Sequence, residues 1–423
     1  MPGFGKSGTM AVRRSTSAAA VSVTAQRYAT ARVALCAGTT PVPRSGDRRG
    51  TGPWVLMVCD RWNGRKGRPD RSRSDGNRTG TMHSRTRTTV ARALALATAL
   101  AATVAGTIVV TTPTAASAAA VAPLPPAALH TATPGQVFAG GLFVQPDSQA
   151  AQAATALSTS GTATEAAAAR TIAQQPVAIW LGEWYTGDAL DRVIARNLAA
   201  AEQVGRTPVF VTYAVPNRDC GGYSAGGLSP TAYAEWNRRI AADLRGHRAV
   251  VIVEPDSLSH LSSCTAERER RPGIIAGAVH EYAAAGVPTY LDGGNENWNS
   301  PELQATYLRE AGIAEARGFF TNVANFYRVD GERAYAERLS ALTGGARYVI
   351  DTSRNARGWL GTWCNPTGAG LGRSPQVAAG RTRLDALLWI KTPGASDGTC
   401  NGGPAAGTWF PSYAVALVAN RKR

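Results

Sequence analysis

Seven strand-like runs alternating with helix-like stretches predict an α/β protein, a parallel β-sheet closed or nearly closed into a (β/α) barrel. Polar and charged residues gather where those runs end, as around the mouth of a barrel. An open doubly wound sheet is the alternative. No GxGxxG or Walker motif follows a strand, which removes the usual nucleotide-binding readings.

In chain order the runs are VAIWL (177–181), VFVTYAV (209–215), AVVIVEP (249–255), PTYLDGG (288–294), GFFTNVANF (318–326), RYVIDTS (347–353) and LDALLWIK (384–391). Each is rich in β-branched or aromatic residues, as buried strands are. Between them, AYAEWNRRIAADLRG (232–246) and ELQATYLREAGIAEARG (302–318) have helical apolar spacing. Two of the strands break at Pro216 and Pro255 and present Asp219 and Asp256 just beyond their C-terminal ends. That end is where parallel sheets and barrels build their chemistry. Two carboxylates on one face are the minimum equipment for splitting a glycosidic bond. Other strand ends offer Trp180, Tyr213, Glu254, Asp292, Asn322, Asn325, Asp351, Arg354, Lys391 and Asp397.

The formal charge of +16 points to nucleic acid only until it is located. Residues 1–81 hold 15 Lys or Arg against 4 Asp or Glu, and 82–118 add three arginines and no acid. That accounts for +14, leaving about +2 on residues 119–423, so the basicity argues for no nucleic-acid partner. Residues 82–118 read as a signal peptide: Arg85, Arg87 and Arg92, then an uncharged stretch from Ala93 to Val110, then Ala116-Ser117-Ala118. Met82 is the expected start, with 1–81 an overlong extension or a disordered segment. The protein is expected to be secreted, with no stable membrane association, and to act as a monomer.

Residues 119–135, rich in Ala and Pro, are expected to form an extended lead-in to a catalytic domain over 136–423. Cys36 and Cys59 fall upstream, leaving four cysteines in an exported chain and three possible pairings. Cys220–Cys264 with Cys364–Cys400 is favoured, each bridge then closing one loop beside a strand end. The cysteine spacings and five histidines form no metal-binding pattern, so no metal or other cofactor is expected.

Six motifs resemble glycoside hydrolase family 6, cellulases with a distorted seven-stranded barrel. They are Y-x-x-P-x-R-D-C at Tyr213–Cys220, E-P-D-S-L at Glu254–Leu258, YLDGGNENW at Tyr290–Trp298, DTSRN at Asp351–Asn355, TWCNPTG at Thr362–Gly368 and LLWIKTPGASDGTC at Leu387–Cys400. They occur in the expected order from about Trp180 to the C-terminus. The resemblance implies cleavage of β-1,4-glucans with inversion, Asp256 being the general acid and Asp219 the carboxylate that raises its pKa. Asp397 matches the usual base candidate, with Asp219 acting through water as the alternative. Tyr213, Trp180, Trp298, Asn325, Trp363 and Lys391 are the expected sugar contacts. Ala395 stands where the family commonly has Glu, Asn295 where it has His, and Gly182 where it often has Asp.

Plainer roles suit other residues. Glu254 is expected to pair with Arg218 or Arg354, Asp351 with Arg354, and His260 to be a loop residue. Asp292 is open between supporting the site and touching sugar. Trp236 and Trp389 fit the core, and Trp184 and Trp359 are undecided. The short mature chain and the short stretch from Asp351 to Cys364 favour an endo-acting enzyme. A cellobiohydrolase and a catalytically impaired glucan-binding protein are the rivals, the latter resting on Ala395 and Asn295.

Overall fold

The computed structural model describes Pro125 and residues 128–421. The expected leader, the upstream extension, Cys36 and Cys59 lie outside these residues. Among the described residues no helix is long and apolar enough to cross a membrane.

The seven expected strands all form. They are β1 (Ile179–Gly182), β2 (Val209–Tyr213), β3 (Val250–Val253), β4 (Thr289–Asp292), β5 (Gly318–Thr321), β6 (Arg347–Asp351) and β8 (Leu384–Leu388). Neighbours in this order pair in parallel. A two-residue strand absent from the sequence reading, β7 (Gln376–Val377), lies antiparallel on β8. The sheet curls until its ends meet: Val177 bridges Trp389 in parallel, and the Ala178 amide donates to the Trp389 carbonyl at 3.0 Å. This is the distorted barrel rather than an open sheet.

Both faces of the strands are apolar, as a sheet enclosed by helices requires. Phe210, Val251, Leu291, Phe319, Tyr348 and Ile350 pack outward with helix residues such as Ile194 and Ile240. Their neighbours Val211, Ile252, Tyr290, Phe320, Val349 and Leu388 fill the inner cluster. Gly318 opens β5 because any Cβ there would lie 1.7 Å from the Arg347 carbonyl oxygen on β6. Trp236 and Trp389 are in the core, as expected.

Six helices follow or precede the strands: α4 (Asp188–Gln203), α5 (Pro230–Leu244), α6 (Arg271–Ala284), α7 (Pro301–Glu310), α8 (Val329–Leu342) and α9 (Pro411–Ala419). Ser229 and Ser300 cap α5 and α7 ahead of a proline in the first turn. The helical pattern over 302–318 overshoots. α7 ends at Glu310, because Gly312 adopts φ +83° and turns the chain toward β5.

The described part of the lead-in is not extended. Residues 128–132 form turns that run into the short helix α1 (Pro134–Val137), capped by Thr133 and Gln136 in a reciprocal box. The buried Arg317 guanidinium holds it there, donating to the Leu129 carbonyl at 2.8 Å and the Ala132 carbonyl at 2.7 Å. Two further helices, α2 (Gln149–Ser160) and α3 (Ala163–Ala173), precede β1. Ala150 and Ile172 from these helices join Tyr413 and Leu417 of α9 in a satellite cluster.

Candidate active site

Beyond β2 and β3 the backbone enters the left-handed region at four non-glycine residues that build the site. These are Asp219 (φ 57°), Cys220 (φ 46°), Glu254 (φ 50°) and Asp256 (φ 70°). Such conformations cost energy and persist only where the surroundings impose them. Glu254 provides one such restraint. It is fully buried, its carboxylate accepting from the amides of Ala214 at 2.9 Å and Val215 at 3.0 Å. It therefore ties β3 to the end of β2 instead of pairing with an arginine as expected, and burial pushes its carboxyl up to about 7. Arg218 turns to Glu183, and Arg354 to Asp397.

Asp292 provides the second restraint. One of its oxygens accepts from the amides of Leu258 at 3.0 Å and Ser259 at 2.8 Å, the other from Gly294 at 3.0 Å. Its place is thus behind the Asp256 loop, clamping it. Asp256 itself is half-buried and its carboxyl is pushed up to about 7. Desolvation is the main cause, the Asp292 charge the next to raise it, and Asp219 a smaller one. The sequence reading assigned that influence to Asp219; Asp292 outweighs it.

Asp219 accepts from the Ser224 amide at 2.7 Å and faces His260 Nε2 at 3.4 Å. Burial alone would raise its pKa, but the hydrogen bonds from His260 and the Ser224 amide hold it below the ordinary range. His260 is thus more than a loop residue. Burial disfavours its charged form, yet Asp219 and the nearby Asp256 charge raise its pKa. Its ring also stands perpendicular to Trp298, 4.9 Å between centroids. Nothing in the sequence announced the pair, since the partners lie on loops after different strands.

On the far side, Asp397 is buried and doubly ion-paired, with Arg354 at 2.7 Å and Lys391 at 3.1 Å. The Asn365 amide adds a third contact at 3.0 Å. Burial opposes its ionisation, but the two cations more than offset this and keep its pKa below the usual value. The expected Asp351–Arg354 bridge does not form. Asp351 accepts from the amides of Ser353 at 2.7 Å and Lys391 at 2.9 Å, fixing the turn and the lysine, and burial raises its carboxyl to about 6.

Trp180 is held by its indole N–H, which donates to the Ile390 carbonyl at 2.8 Å, and sets its ring edgewise to Tyr213 at 5.1 Å. Burial and the Asp256 charge raise the Tyr213 phenol well above its ordinary pKa, so it stays neutral. Asn325 bonds the Val323 carbonyl at 3.1 Å, and Trp363 is exposed against Tyr223, 6.0 Å between centroids. Asn322 is buried instead, linking the carbonyls of Tyr327 and Asp351. Both disulfides form as favoured, Cys220–Cys264 and Cys364–Cys400, each with a Cα separation of 6.1 Å.

One cleft of about 1530 Å³ collects Asp219, Asp256, Asp397, Tyr213, Trp180, Trp298, Asn325, Trp363 and Lys391. All nine site residues expected from the sequence therefore meet. His260, Tyr223, Tyr327, Trp184 and Trp359 join them in the lining, along with Asn295 and Ala395.

The family model described as Glycosyl hydrolases family 6 matches residues 139–421. The chain belongs to that family. It is 38% identical over 282 residues to Endoglucanase A of Cellulomonas fimi, covering 67% of this chain and 62% of that protein. Endoglucanase 1 of Streptomyces halstedii is 37% identical over 311 residues, covering 71% of this chain and 94% of the other. Relatives named exoglucanases match at 29% and 31% identity. Among solved structures, the endoglucanase Cel6 of Mycobacterium tuberculosis in complex with methyl-cellobiosyl-4-deoxy-4-thio-β-D-cellobioside is 38% identical, with a TM-score of 0.62. That match covers 66% of this chain and 96% of the other. As a family 6 member the chain is a glycoside hydrolase of the cellulase type, and its curled parallel sheet is the family's barrel.

Proposed function

We propose that this chain is a secreted, endo-acting hydrolase that cleaves β-1,4-glucosidic bonds with inversion. The observation that carries the reading is Asp256, a carboxyl held up to about 7 on a cleft where Asp219 and Asp397 are both kept ionised. Asp256 donates its proton to the glycosidic oxygen as the bond from C1 breaks. Water attacks C1 from the opposite face and gives its proton to a base, so the new hydroxyl has inverted configuration. Asp397 is the first candidate for that base, and Asp219 acting through water is the alternative. Tyr213, Trp180, Trp298, Trp363, Asn325 and Lys391 hold the sugar, indole faces suiting the apolar faces of glucose rings. The cellobioside bound in the mycobacterial relative supports a β-1,4-glucan substrate.

The short stretch from Asp351 to Cys364 supports endo action. One contact favours the cellobiohydrolase reading instead. Tyr223, on the loop after β2, lies against Trp363 and so close to Gly398 that a Cβ there would sit 2.7 Å from its ring. Loops rooted at different strands thus touch beside the cleft. Secretion rests on the signal-like segment 82–118 and the two disulfides. The working unit is a monomer with no cofactor and no nucleic-acid or membrane partner.

The test follows viscosity of a soluble β-glucan, reducing ends and anomeric form by NMR. Rapid viscosity loss with α-anomer product is expected; slow viscosity loss with steady cellobiose release would replace endo by exo action, and β-anomer product would overturn inversion. Asp256→Ala should lower turnover by about 10²–10⁴-fold while sparing cellopentaose binding. Asp397→Ala and Asp219→Ala then separate the bases: the variant whose activity azide restores held the base.

A further inference from the structure

Trp184 was undecided in the sequence, and the structure gives it a setting that Gly182 explains. Gly182 ends β1 and pairs in register with Tyr213. A Cβ at 182 would fall 2.2 Å from the Trp184 ring, with further ring atoms at 2.3 and 2.6 Å. No side chain larger than hydrogen fits while the indole stays in place. The aspartate often found at this position is therefore incompatible with Trp184 as it stands, and Gly182 and Trp184 form one feature.

The indole is exposed, yet it is held. It is 53% accessible, among the most exposed large apolar side chains described, and it lines the cleft. The Arg218 guanidinium lies 5.9 Å from its ring centroid and 4.3 Å from that of Tyr213, one cation serving both aromatics. Arg218 is itself fixed by Glu183 and by the carbonyls of Tyr213 at 2.6 Å and Ser224 at 2.8 Å. An indole fixed in orientation and open to the cleft is a preorganised apolar platform, which loses little freedom on binding.

Resting on the glucanase reading above, we propose that Trp184 is an additional sugar-stacking platform, admitted by Gly182, which makes affinity depend on glucan length. It receives the apolar face of a glucosyl unit that Trp180 and Tyr213 do not hold. A chain too short to reach it gains nothing from it.

The experiment compares the full chain with Trp184→Ala, Trp184→Phe and Gly182→Asp on cellotriose and cellohexaose, with tryptophan fluorescence titrations alongside. Trp184→Ala should raise KM for cellohexaose by about three- to tenfold more than for cellotriose, with the effect in KM rather than kcat. Trp184→Phe should recover much of that loss, and Gly182→Asp, by displacing the indole, should reproduce it. Cellohexaose should quench wild-type fluorescence more than that of Trp184→Ala. A wild type that cleaves both sugars while Trp184→Ala treats them as wild type does overturns the platform alone. A wild type that neither binds nor cleaves either sugar overturns the platform and the glucanase reading together.

Discussion

A group that must donate a proton near neutrality has to be kept protonated, and four neighbours tune Asp256 after burial has raised it. Asp292 and Asp219 push its carboxyl up, while the His260 and Lys391 charges pull it down. With Asp256 near 7, kcat/KM falls as pH rises through that value, because the deprotonated acid cannot protonate the leaving oxygen. His260→Asn removes one charge that lowers Asp256, so the alkaline fall moves to higher pH. It also removes the hydrogen bond that lowers Asp219, so the acid-side rise moves up as well where Asp219 is the base and stays in place where Asp397 is. The pH profile of kcat/KM on a soluble glucan checks this, and an unmoved alkaline limb would show that His260 carries no charge felt by Asp256. Asp219, Asp256 and Asp397 were legible because each stands in a motif of its own. The His260–Asp219 pair and the Asp397–Arg354 pair were not, because side chains from separate loops choose partners only once the barrel has formed.

At the level of elements, the strands were legible and their surroundings less so. A strand buried on both faces reads as an unbroken apolar run, which is why all seven parallel strands were visible. β7 has only two residues and no pattern, and α7 stops at a glycine inside a periodicity that continues past it. The loops that carry the chemistry depend on covalent ties as well. Cys220 follows Asp219 directly, and its bridge to Cys264 closes 44 residues of chain. The Cys220→Ser/Cys264→Ser double variant should lose about 2–4 kcal/mol in denaturant unfolding, since the unfolded chain regains loop entropy. kcat should fall further than the folded fraction explains, because Asp219 loses the anchor beside its left-handed backbone. Unchanged stability and unchanged kcat in the same variant would mean that the Arg271 bonds to Pro216 and Asn217 hold this loop without the bridge.

Across the whole molecule, one carboxylate in the wall of the barrel joins segments that are far apart in sequence. Asp385 on β8 takes both Arg317, just ahead of β5, at 2.9 and 3.1 Å, and Arg347 at the start of β6. It also accepts from the Tyr290 hydroxyl of β4 at 2.7 Å, while Arg317 reaches on to the lead-in carbonyls. The side chains of Asp385 and Arg317 are both fully buried. Breaking a buried pair from one side is far costlier than removing both partners, because the charge left behind has no solvent. Asp385→Asn keeps the shape and removes the charge, leaving Arg317 buried and uncompensated. The expected loss is about 3–5 kcal/mol, read from denaturant midpoints at constant slope. Because the cleft is built at the other end of the strands, kcat of the folded fraction should change little. A loss below about 1 kcal/mol would mean that the carbonyls of Leu129 and Ala132 are sufficient partners for Arg317 and that Asp385 does not knit the barrel together.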